Sequence, residues 1–134
     1  MQGTILFAHG SRDPLWRKPV EAIAARVQAL EPTRLVGCAY LELTEPPLML
    51  CAATLIGQGA QVINVVPLFL GVGRHAREDL PVLMTELKVA YPSVCFSLQN
   101  AVGENARLVD LIAHIALESA SESALVRAQS LAPS

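Results

Sequence analysis

The sequence has no excess of positive charge. Its 134 residues carry 10 Lys and Arg against 12 Asp and Glu, a formal net charge of -2. Nucleic acids are held through their phosphates, and the cations here are scattered along the chain, which argues against DNA or RNA as a partner. Long apolar runs are missing as well. No stretch approaches the roughly 18 residues a spanning helix needs, so no membrane partner is expected. Yet 52% of the residues are hydrophobic and the mean hydropathy is +0.41, a surplus for so small a domain. Strands buried on both faces, a subunit interface, or both would absorb it. The opening Met1-Gln2-Gly3-Thr4 lacks the basic region of a secretory signal, and a cytoplasmic location is expected. Cysteine is scarce. Cys38, Cys51 and Cys95 are odd in number, widely spaced and set in apolar stretches, which predicts reduced, buried, inert thiols in place of a disulfide framework or a zinc cage.

Several catalytic signatures are also missing. There is no G-x-S-x-G elbow, and Ser11 stands too close to His9 in the chain for a serine-histidine pair. Gly71-x-Gly73 is too short for a dinucleotide fingerprint, and no phosphate-binding lysine motif occurs.

What is present is alternation. Thr4 to Ala8 reads as a buried strand; Trp16, Val20, Ile23, Val27 and Leu30 then recur at helical spacing in a segment beginning after Asp13-Pro14, with Asp13 as its cap. Leu35 to Leu41 is a second strand and Leu48 to Ile56 a second helical stripe. Val62 to Phe69 is the most hydrophobic strand, followed by a glycine loop and a helix with Leu80, Leu83, Met84 and Leu87 on one face. Val94 to Leu98 offers a fourth strand, and Leu108, Leu111, Ile112 and Ile115 a last helix. Four strands alternating with four helices predict an α/β fold, a three-layer sandwich with a four-stranded, mostly parallel sheet. Residues 1–120 are expected to form one domain, and the Ser/Ala-rich 121–134 a frayed or disordered tail.

Parallel sheets bind ligands beyond the carboxyl ends of their strands. Two of the three histidines, His9 and His75, fall there in glycine-flanked loops, and Glu42 closes the second strand at the same rim. Two imidazoles and a carboxylate suit borderline divalent metals such as cobalt, iron, nickel or zinc. His114 lies on the polar side of the last helix beside Arg107 and Asp110 and reads as a solvated residue. A histidine-dependent phosphatase also places His-Gly after its first strand, but wants an arginine before the histidine, where this chain has Ala8.

Leu6-Phe7-Ala8-His9-Gly10-Ser11-Arg12-Asp13, Ala39-Tyr40-Leu41-Glu42-Leu43 with Pro47, and Val66-Pro67-Leu68-Phe69-Leu70 with Gly73, His75 and Asp79-Leu80-Pro81 together resemble the sirohydrochlorin chelatases in their short, single-domain form. The resemblance covers roughly residues 4 to 118. It implies a lyase that inserts cobalt or ferrous iron, with nickel as a third candidate ion, into sirohydrochlorin in cobalamin or siroheme biosynthesis, with the metal as substrate and no organic cofactor. The catalytic and metal-binding roles it implies fall on His9 and His75, with Glu42 as carboxylate partner; by position alone Glu45 could equally be that carboxylate, and only the family pattern favours Glu42. The substrate's eight carboxylates want donors, for which Gly10, Ser11, Arg12, Gly71, Gly73 and Arg74 stand at the rim, with Arg77 nearby. Leu68 to Leu70 is expected to wall the tetrapyrrole or to meet a second subunit, since longer relatives fuse two such units and a homodimer is implied here. The histidine-rich tail of some relatives is missing. A non-catalytic divalent-metal carrier would use the same histidines without a macrocycle site.

Overall fold

β1 (Gln2–Ala8) is almost wholly apolar, and the reason is its place in the sheet: it pairs in parallel with β2 (Leu35–Tyr40) on one side and β3 (Val62–Pro67) on the other. β4 (Cys95–Leu98) adds in parallel to β3, giving the order β2-β1-β3-β4. The sheet is therefore entirely parallel, where a mostly parallel one was expected. The computed structural model describes residues 1–118; the expected tail at 121–134 lies outside them.

Side chains alternate across the sheet with the period of two that pleating imposes. Ile5, Phe7, Ala39, Ile63 and Val65 point to one face and are fully buried beneath α2 (Leu48–Gly57) and α3 (Arg74–Ala90), which contribute Leu48, Cys51, Leu55, Leu80, Met84 and Leu87. Leu6, Ala8 and Tyr40 point to the other face, where α1 (Lys18–Leu30) covers them with Val20 and Ala24. These three layers account for much of the apolar surplus. The two cores differ in completeness: a single helix serves the second face, and it packs on β1 and β2.

Two helices depart from expectation. α1 begins at Lys18, not after Pro14. Asp13 instead closes a turn, its carboxylate accepting from Leu15 N–H at 2.9 Å and its carbonyl from Trp16 N–H at 3.1 Å. The fixed φ of Pro19 suits a first helical turn, so the start moves forward to accommodate it. Of the expected α1 stripe only Val20 is buried; Ile23 and Leu30 remain exposed and Trp16 packs edge-on to Tyr40, centroids 6.0 Å apart. α4 (Ala106–Leu117) has the expected apolar stripe but no buried residue.

The cysteines are free among the described residues but not uniformly buried. Cys51 is, and burial, aided by nearby Cys38, pushes its thiol up to about 12. Cys38 is half-buried, with its pKa raised mainly by burial. Cys95 corrects the expectation: it stands exposed on β4, an edge strand with one neighbour. Native protein treated with a thiol reagent at pH 8 is expected to modify Cys95 rapidly, Cys38 slowly and Cys51 only on unfolding. Because folding raises the Cys51 pKa, its contribution to stability is full below about 9 and fades as pH climbs from there toward 12. Equal labelling of all three in native protein, read by mass spectrometry, would contradict this.

Candidate active site at the carboxyl rim of the sheet

The sheet's hydrogen bonding runs on past its strands and joins the loops that follow. Leu41 N–H donates to Ala8 O and Glu42 N–H to His9 O, both at 2.9 Å, while Leu68 N–H donates to Phe7 O at 2.8 Å. The backbone at the end of β1 is thus held from both sides, and His9 emerges from a fixed base. Gly10 makes this approach possible. Its φ is 105°, and a Cβ there would lie 1.7 Å from the carbonyl oxygen of Glu42.

Thr44 ties the same two loops together. Its hydroxyl accepts from Ser11 N–H at 2.9 Å and donates to Ser11 O at 2.8 Å. The Ser11 hydroxyl in turn accepts from Asp13 N–H at 3.1 Å, so part of its bonding capacity serves the turn. Leu43, between Glu42 and Thr44, is held at φ 62°, a left-handed conformation uncommon for a branched side chain. A non-glycine held in that region beside the candidate site residue Glu42 marks a loop whose shape is imposed by its surroundings.

His9 is exposed, yet one face of its ring rests on buried Phe69, centroids 4.3 Å apart and planes tilted by 38°. Phe69 is itself edge-on to Phe7 at 6.2 Å, so the imidazole is buttressed by the core while remaining open to the rim. His75 also corrects an expectation. It sits in the first turn of α3, not in a loop, because Gly73 is the extended N-cap from which the helix starts. Helix geometry gives it a firmer base than a loop would. Arg74 beside it pairs with Glu78 one turn on, Nε to Oε1 3.3 Å, and both are well exposed. Arg12, Arg77, Glu42 and Glu45 are exposed as well.

Among the described residues, no group of three or more His, Cys, Asp or Glu side chains converges closely enough to hold a metal ion. His9, Glu42 and His75 share the rim as separate exposed groups on three elements. Such an arrangement offers exchangeable ligands, in contrast to a closed structural cage. Arg77 faces away toward β4, where it lines a cleft of about 200 Å³ with Pro67, Val72, Gln99, Asn100 and Glu104.

The glycines divide into two kinds. At Gly71 and Gly73 a Cβ would meet nothing within 4 Å, so packing does not require glycine there and open space lies beside both. At Gly103, in a single-turn 3-10 helix (Val102–Glu104), a Cβ would fall 1.7 Å from Leu70 O, and its N–H donates to Phe69 O at 2.9 Å. Gly103 therefore fixes the segment that carries Phe69 and so the support under His9. Sequence reasoning missed Gly103 and Thr44, since neither role has a local signal. It also treated Leu68 to Leu70 as one wall: Phe69 is core, Leu68 half-buried, and Leu70 70% exposed at the rim.

A family model, CbiX, matches residues 3–119. The sirohydrochlorin cobaltochelatase of Sulfolobus acidocaldarius is 30% identical over 84% of this chain and 87% of its own. The sirohydrochlorin ferrochelatase of Bacillus subtilis is 29% identical over 84% of this chain but only 43% of its own length. Among solved structures, a Marinobacter aquaeolei CbiX protein superposes with a TM-score of 0.74 at 35% identity, covering 87% of this chain and 94% of that one. The chelatase SirB from Bacillus subtilis subspecies spizizenii, in complex with cobalt, superposes with a TM-score of 0.73 at 25% identity, covering 94% of this chain and 57% of that one. With a family match over most of its length and structural neighbours that share its sheet, the chain belongs to the CbiX family of sirohydrochlorin chelatases.

Proposed function

We propose that this protein is a lyase that inserts cobalt or ferrous iron into sirohydrochlorin, in cobalamin or siroheme biosynthesis. The observation that carries the reading is the placement of His9 and His75 on rigid supports at one rim, in a chain similar to named cobalto- and ferrochelatases. Insertion exchanges a hydrated divalent ion and two pyrrole N–H protons for a metallated ring and two released protons. Imidazole suits both halves of that exchange, since its neutral form binds a borderline metal and accepts a proton near pH 7. In this reading His9 and His75 deliver the ion and take up the protons, and Glu42 offsets charge or passes protons to solvent.

Gly10, Ser11 and Arg12 on one loop, and Gly71, Gly73 and Arg74 on the other, then hold the ring and its carboxylates. The open space beside Gly71 and Gly73 supports this, as a flat macrocycle needs close access to backbone. Nickel is a third ion the same ligands accept. A homodimer and a cytoplasmic location complete the proposal, the latter supported by thiols that are free among the described residues, and by the lack, within them, of any helix long and apolar enough to cross a membrane. The phosphatase reading is disfavoured by Ala8, a buried small residue hydrogen-bonded through its carbonyl where that chemistry wants an arginine.

A metal carrier is separated from a chelatase by its affinity for the ring. Metal-free sirohydrochlorin titrated into the protein is expected to bind, with a shift in its absorbance, before any metal is added. Metal binding with no response to the tetrapyrrole would favour the carrier.

A further inference from the structure

The cleft beside Arg77 belongs to the carboxyl rim, where the segments after β3 and β4 meet the first turns of α3. Its apolar lining is core: Pro67, Leu80 and Ala101 are buried. Its polar wall is fixed by backbone, since Gln99 N–H donates to Val65 O at 2.9 Å, one residue past β4, and Glu104 N–H donates to Ala101 O at 2.9 Å in the turn that Gly103 anchors to Phe69. A second hollow, of about 530 Å³, adjoins the first and shares Gln99, Asn100 and Glu104 with it.

Hydrogen-bond donors converge on this cleft. Among the described residues Arg77 enters no ion pair, unlike Arg74 in the same helical turn, which is held by Glu78. Its guanidinium presents a planar fork that matches a carboxylate, and Gln99 and Asn100 place side-chain amides beside it. One acidic group stands against them. Glu104 lines the same cleft without pairing to Arg77, and its charge opposes any anion that Arg77 attracts, so the cleft suits a single carboxylate and not a cluster of them.

We infer, on the chelatase reading above, that Arg77 with Gln99 and Asn100 holds one edge carboxylate of the tetrapyrrole and so helps to select the ring. β4 lies two strands from β1, about 10 Å at the usual strand spacing, so a ring seated over His9 and His75 carries its edge carboxylates toward the cleft. Arg77 follows His75 by two residues, which turns the two side chains to opposite sides of the first turn of α3. One can serve the centre of the ligand and the other its edge. A contact so far from the pyrrole nitrogens is made alike with bound substrate and with the transition state, and it therefore governs KM and not kcat.

The test is anaerobic cobalt insertion by the full chain across a range of sirohydrochlorin concentrations. Arg77→Ala is expected to raise KM about tenfold, the loss of one charge-assisted contact, with kcat within about twofold of the parent. Arg77→Lys keeps the charge but not the fork and should recover part of that loss. Gln99→Ala with Asn100→Ala should also raise KM, in a chain whose arginine is untouched. Glu104→Gln removes the opposing charge and should lower it. Arg26→Ala, at an exposed position on α1, is the control for lost charge and should leave KM parental. A parental KM in Arg77→Ala, or a fall in kcat at unchanged KM, would overturn the subsite while leaving the chelatase reading standing. An equal rise in KM in Arg26→Ala would do the same, by making the effect one of net charge alone. A parent protein that neither binds nor metallates the ring would overturn both.

Discussion

His9→Ala and His75→Ala are each expected to lower the rate of cobalt insertion into sirohydrochlorin by about 10²-fold or more, the lower range of what a positioned proton-transfer group contributes. Both residues are exposed, so neither loss should come from a failed fold. The two differ in what else they touch. His75 stands free on α3, and its removal should leave stability within about 0.5 kcal/mol of the parent, as for surface positions generally. His9 lies on Phe69, and losing that contact is expected to cost about 1 kcal/mol in addition. Glu42→Gln should have the smaller effect on rate, because a carboxylate that offsets charge can be replaced in part by solvent. If insertion is recorded by absorbance under anaerobic conditions, near-parental rates in both histidine variants would remove the assigned roles.

Gly10→Ala is expected to be the most damaging single methyl group that can be added at the site. A Cβ at this position would overlap the Glu42 carbonyl at 1.7 Å, and the φ of 105° is itself unfavourable for alanine. Backbone, not a flexible side chain, is what it meets, so relief requires the loops after β1 and β2 to separate. The hydrogen bond from Glu42 N–H to His9 O would break in the process. The combined cost is expected to be about 2–4 kcal/mol, the range of strain plus overpacking. Urea denaturation measures it, and insertion activity should fall with it as His9 and Glu42 lose their common base. Gly71→Ala and Gly73→Ala are the controls. With open space around both, they should change stability by about 0.5 kcal/mol or less, and any loss they cause should appear in substrate binding. Parental stability in Gly10→Ala would contradict the close approach on which this account of the rim depends.

The strands were legible because a parallel sheet demands continuous apolar runs, and Ile5-Leu6-Phe7 and Ile63 to Val66 have no other reading in a chain this short. All four helices were legible from their stripes, though not the start of α1, and the rim followed from topology once the strands were placed. The errors have a common origin. A stripe tells which face of a helix is apolar but not whether anything covers it, so of the α1 stripe only Val20 is buried, and of the α4 stripe no residue is. Exposure of Cys95 follows from the edge position of β4, which is a fact of strand order and not of local sequence. His75 was placed in a loop because Gly71 and Gly73 dominate the local signal, whereas the second glycine is the cap from which α3 begins. The support of His9 by Phe69, and of Phe69 by Gly103, joins residues far apart in the chain. No spacing rule reports such a contact.

The central claim is that this chain catalyses metal insertion into a tetrapyrrole. The direct measurement is anaerobic metallation of sirohydrochlorin by the full chain, with cobalt and ferrous iron offered separately and each rate compared with the same mixture lacking protein. The account predicts an accelerated rate, proportional to protein concentration, with at least one of the two ions, and abolished in His9→Ala/His75→Ala. Rates indistinguishable from the protein-free reaction with both ions, in protein that is folded and binds the ring, would contradict it.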